Sequence, residues 1–99
     1  MDNTIAAWQK RIHENAVNHG WWETTRPTPE LLCLIHSEVS EALEAYREAN
    51  TDLLAEELAD VVIRTLDMAA GLGIDLQAQI LAKHRKNKTR PWRHGGKVA

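Results

Sequence analysis

The residues best suited to chemistry are two pairs of acids, Glu38 with Glu41 and Glu57 with Asp60. Within each pair the spacing places both carboxylates on one face of a helix, one turn apart. If the two helices form an antiparallel hairpin turning near residues 50 and 51, Glu41 and Asp60 lie level, with Glu38 and Glu57 one turn to either side. The four carboxylates then share a patch about 9 Å long at 1.5 Å of rise per residue. Left alone they repel one another. A hard divalent cation removes that repulsion, and an all-oxygen ligand set suits Mg²⁺, or Mn²⁺ as a substitute, better than zinc. Mg²⁺ in such a site commonly joins carboxylates to the phosphates of a substrate.

The elements that must position these acids are marked by sparse punctuation. A first helix is expected from Thr4 to Asn18, with Ile5, Trp8, Ile12 and Ala16 as its apolar stripe and Gly20 as its stop. A loop carrying Trp21 and Trp22 follows. Thr28-Pro29-Glu30 supplies a cap hydroxyl, an early proline and a first-turn acid, and opens a second helix reaching Ala49. Asn50-Thr51-Asp52 reads as a turn, and a third helix runs from Leu53 to Leu72. Asp75 caps a fourth, which Pro91 ends near Asn87 to Arg90. The fold class is therefore all-α, a bundle of about four helices in one domain over 1–99. Its parts are an N-terminal helix (1–19), a helical hairpin carrying the acids (29–72), a basic helix (75–90) and a polar tail (91–99).

Two features of the hairpin conflict with plain amphipathicity. Glu38 falls inside the apolar arc of the second helix, where a carboxylate is costly unless a cation or hydrogen bonds meet it. The third helix is apolar round most of its circumference and is expected to be buried nearly all round. Its only polar strip is Glu56, Glu57, Asp60, Arg64 and Asp67, with Arg64 and Asp67 expected to form an ion pair behind the site.

Charge is divided just as sharply. The first 82 residues hold all 14 acids and five bases, whereas residues 83–99 hold seven bases and no acid. On the fourth helix Lys83, Asn87 and Arg90 continue the face of Leu76 and Ile80, so they are expected to point towards the bundle and to hold phosphates. Trp22, with Trp21 as the second choice, offers a stacking surface for a base. The single cysteine, Cys33, closes no intrachain disulfide, and no apolar run approaches a membrane span, which together point to a cytoplasmic protein. A chain of 99 residues makes a thin core, so a partner subunit is expected to add to it.

With these residues in view, the chain resembles the MazG-like family of all-α nucleoside triphosphate pyrophosphohydrolases, whose core motif is EExxE, a spacer, then ExxD. Here the motif reads Ser37-Glu38-Val39-Ser40-Glu41 and Glu57-Leu58-Ala59-Asp60, with Ser37 in place of the first Glu. Residues 57–64, Gly73-Ile74-Asp75-Leu76 and the run from Lys86 to Lys97 are also similar to this family. The resemblance implies Mg²⁺-dependent hydrolysis of (deoxy)nucleoside triphosphates between the α- and β-phosphates, in a homodimer or homotetramer whose subunits complete each other's bundle. Glu38, Glu41, Glu57 and Asp60 are then the metal ligands, and one of the four accepts the proton of the attacking water, with Glu41 and Glu38 named as the catalytic candidates. Trp22, Lys83, Asn87 and Arg90 bind the substrate. Two other readings stand beside this one. The first is a non-enzymatic helical dimer that binds nucleic acid through its basic segment; the second is a phosphoribosyl-ATP pyrophosphohydrolase. Membrane is excluded as a partner, and nucleic acid is disfavoured.

Overall fold

A computed structural model describes residues 1–91, and among these there are four helices and no strand: α1 (Ile5–Asn18), α2 (Thr28–Arg47), α3 (Thr51–Gly71) and α4 (Leu76–Thr89). Their starts follow from local chemistry. The Thr4 hydroxyl accepts from the Ala7 amide, Asn50 from that of Leu53 and Asp75 from that of Ala78, each satisfying an amide that the helix itself leaves unpaired. The start of α2 departs from expectation. Pro27 occupies the cap position, Thr28 is already helical, and no side chain caps the turn.

Three helices end in the same way. In each, the second residue past the cap returns its N–H to the last turn: Trp21 to Ala16, Asn50 to Ala45 and Ile74 to Ala69. This paired closure needs a left-handed residue between, and Gly20 (φ +82°) and Gly73 (φ +71°) supply it for α1 and α3. Ala49 does so for α2, at φ 55°. The hairpin turn is therefore Glu48 to Asn50, and α3 begins at Thr51, two residues ahead of the expected start.

The helices pack in the order α2, α3, α1, α4, with α3 in the middle. α1 runs antiparallel to α3: the Gln9 amide donates to the Ile74 carbonyl at 2.8 Å, while His13 meets Asp67 at 2.8 Å. The core is small, with Leu31, Ala42, Ala45, Leu66 and Ala69 its buried apolar residues. The expectation that the third helix is enclosed nearly all round does not hold for the single chain. Leu58, Val62 and Ile63 are 54%, 55% and 44% exposed, and Val39, Leu43 and Tyr46 of α2 are also open. The radius of gyration, 16.0 Å, exceeds the roughly 13 Å of a compact domain of this length. No helix among the described residues is long and apolar enough to cross a membrane.

Candidate metal centre and adjoining cleft

The capped turn at Ala49 fixes the register of α2 against α3, and that register brings the acids together. Glu38, Glu41 and Glu57 each offer an oxygen, and the three oxygens lie within 4.8 Å of one another. Asp60, one turn beyond Glu57, faces the neighbouring cleft beside Glu38. Crowding shows in the titration of the group. Loss of hydration, followed by the nearby Glu41 and then the charges of Asp60 and Glu38, pushes the Glu57 carboxyl up to about 7. Glu57 Oε2 is buried and, among the described residues, has no hydrogen-bond partner. An acceptor shut from water beside two other carboxylates suits a cation, and a divalent metal fits the donor set.

Glu38 behaves differently although it is the most enclosed acid of the cluster, at 9% exposure. Arg64 Nε donates to Glu38 Oε1 at 2.7 Å, and this bond holds the Glu38 carboxyl below its usual range. The expected Arg64–Asp67 pair is thus corrected. Arg64 crosses to α2 because Glu38 stands level with it there. Asp67, almost one turn further on, is rotated towards α1. It accepts from the Trp22 indole at 3.0 and 3.2 Å and meets His13 Nδ1 at 2.8 Å, at 8% exposure. The six-membered ring of Trp22 lies over Gly71, where any Cβ would overlap it. Trp22 is therefore committed to holding α1 and its following loop on α3. His13 and Gly71 were not singled out from sequence; the available signal was an acid, Asp67, in the otherwise apolar last two turns of α3.

Residues 29–98 match the model of the MazG-like family. The chain belongs to that family. The match takes in all four acids, while α1 and both loop tryptophans precede it. No curated protein and no solved structure gives a significant match. Membership in the MazG-like family is consistent with a nucleotide pyrophosphohydrolase-type activity and, with the acidic cluster, with dependence on a metal.

Beyond the MazG-like segment, α1 forms the far wall of a cleft of about 670 Å³ whose floor includes Glu38, Asp60, Arg64 and Asp67. Trp21, the second choice at the sequence level, lines this cleft, with the Arg26 guanidinium 3.7 Å from its ring centre and that of Arg64 at 5.3 Å. Lys83, Asn87 and Arg90 are not brought to the acids within the chain. From Ala78 onward every described residue of α4 is exposed, and the helix packs against α1 through its first turns.

Proposed function

We propose that this protein hydrolyses (deoxy)nucleoside triphosphates between the α- and β-phosphates, giving a nucleoside monophosphate and pyrophosphate, with Mg²⁺ as cofactor. The observation that carries this reading is the unpartnered, buried Glu57 oxygen inside a three-carboxylate cluster of a MazG-like chain. Glu38, Glu41, Glu57 and Asp60 would hold the metal, which when bound neutralises phosphate charge and makes water a better nucleophile. Glu41, the exposed member of the cluster, takes the proton of the attacking water on its carboxylate. Glu38, fixed by Arg64, shapes the ligand set from behind. Trp22, the first choice for the base, has its indole bonded to Asp67, so Trp21, which lines the cleft, would take that role with Trp22 behind it.

Lys83, Asn87 and Arg90 serve the phosphates in a homodimer or homotetramer, delivered to the site of a second copy. The open apolar faces of α2 and α3 and the outward basic helix support this assembly. We place the protein in the cytoplasm as a single domain over 1–99. The exposed basic half of α4 also favours one rival, a module that binds nucleic acid electrostatically. Incubation with each NTP and dNTP plus Mg²⁺, with products resolved by ion exchange, separates the two. Monophosphate and pyrophosphate, lost in Asp60→Ala and Glu57→Ala, are expected. Absence of turnover for every nucleotide, with salt-sensitive binding to DNA or RNA, would refute the reading.

A further inference from the structure

The connection between α1 and α2, residues 19–27, contains no helix, yet it gives the cleft its aromatic wall, Trp21. Its backbone is held at both ends. The Trp21 N–H donates to the Ala16 carbonyl at 3.0 Å in the closing turn of α1, and Pro27, at φ −60°, stands at the cap of α2. The two tryptophans between these ends are fixed by different means. Trp22 is bonded through its indole N–H to Asp67 and lies over Gly71. Trp21 is held from its face, by an arginine.

The guanidinium carbon of Arg26 lies 3.7 Å from the Trp21 ring centre. An approach in the plane of the ring stops at about 5 Å, against the ring edge, so a separation this short is reached only over a face. The same guanidinium is anchored twice. Nε donates to the Trp21 carbonyl at 2.7 Å, and Nη1 donates to Glu30 Oε1, in the first turn of α2, at 3.3 Å. Arg26 therefore grips both the backbone and the ring of one residue and ties them to α2. The other cation near this ring, Arg64 at 5.3 Å, is bonded to Glu38 and is the weaker neighbour. Arg26 itself does not line the cleft, so whatever it does for a ligand there passes through Trp21. A ring held in place beforehand loses less freedom when a ligand stacks on it, an advantage of about 2- to 10-fold in affinity for one large side chain.

We propose that Arg26 is a positioning residue, which holds the Trp21 indole as a preset stacking wall for the base of the substrate without touching the substrate itself. This rests on the nucleotide-hydrolase reading and adds to it a residue ahead of the family-matched segment. Arg26→Met keeps an apolar stem beside the ring and removes the planar cation with both anchors. Interactions made equally in the ground and transition states act on KM alone, so KM for the dNTPs rises about 2- to 10-fold while kcat holds. Arg26→Lys, which keeps the charge but not the planar fork, restores part of the loss. Equilibrium dialysis of dAMP, dCMP, dGMP and dTMP in EDTA reads affinity apart from catalysis. The deciding comparison is a double-mutant cycle with Trp21→Leu, in which Arg26→Met costs less than about 2-fold because no ring remains to position. Should Arg26→Met not fold, Arg26→Lys carries the same cycle. Unchanged affinity in the Arg26 variant, an equal loss in the Trp21→Leu background, or a fall in kcat at constant KM would overturn the proposal, while turnover by wild type leaves the hydrolase reading intact. A Trp21-dependent loss of monophosphate binding in a protein that hydrolyses no nucleotide would sink the hydrolase reading and leave this one standing. If no monophosphate binds wild type, the Arg26 assignment fails.

Discussion

Replacing Arg64 by Met tests whether the most enclosed acid of the cluster is tolerated because of its partner. The long apolar side chain keeps most of the packing and removes only the cation. Breaking a fully buried ion pair from one side costs about 3–5 kcal/mol, whereas an exposed pair contributes about 0–1 kcal/mol. Glu38 has 12% of its side chain exposed and Arg64 33%, so this pair lies between the two limits. A loss of about 1–3 kcal/mol follows after discounting for the open side of Arg64. In a domain of this size about 2 kcal/mol lowers Tm by roughly 8–16 °C. The sign of the pH dependence is also fixed. Arg64 holds the folded Glu38 carboxyl below its unfolded value of 4.5, so the stability is present above that pH and disappears as pH falls further. The wild type and Arg64→Met curves should therefore stand apart at pH 7.5 and approach one another at pH 3.5. Urea melts followed by circular dichroism, in EDTA and at one fixed protein concentration, measure this directly. Equal stability at pH 7.5, within about 0.5 kcal/mol, would show that Arg64 does not stabilise buried Glu38.

Three other substitutions address separate parts of the fold. Glu57→Gln removes a carboxyl whose folded value is raised to about 7 from 4.5; wild-type stability from this group is full below pH 4.5 and lost by about pH 7. The metal-free variant should therefore gain on wild type as pH rises through that window, while losing the stabilisation that added Mg²⁺ gives wild type, both read from thermal melts. Gly71→Ala forces a methyl into the Trp22 ring and should cost about 1–3 kcal/mol, with a change in tryptophan emission as the indole leaves Asp67. Ala49→Gly relieves a left-handed alanine at φ 55° and should raise stability by up to about 1 kcal/mol in a denaturant melt.

Much of the site was legible because numbering alone fixes the register of a short helical hairpin. Glu38, Glu41 and Glu57 converge once the turn near residue 50 is known, and the turn is marked by Asn50, whose side chain caps α3. Partner choice was not legible in the same way. Arg64 and Asp67 lie three positions apart on one helix, and that spacing suggested a pair within it. The choice was instead decided by what stands opposite: Glu38 on α2 for Arg64, and His13 with Trp22 for Asp67. Helical periodicity says which residues share a face but not which neighbour docks on it. The same gap explains α4. Its apolar residues Leu76 and Ile80 face the α1–α3 groove, yet Lys83, Asn87 and Arg90 beyond them lie on an exposed stretch of helix.

The joint between Asp67, His13, Trp22 and Gly71 has a consequence for how such sequences can drift. Asp67 and Gly71 lie within the segment shared with the family, and their two partners lie ahead of it. An apolar side chain at 67 would strand the Trp22 indole and the His13 ring without an acceptor, and a larger residue at 71 would expel the indole. The four positions are therefore free to change only as a set. Across homologous chains, an acid at 67 with glycine at 71 should travel with tryptophan at 22 and a hydrogen-bonding residue at 13, and chains lacking one should have exchanged them all.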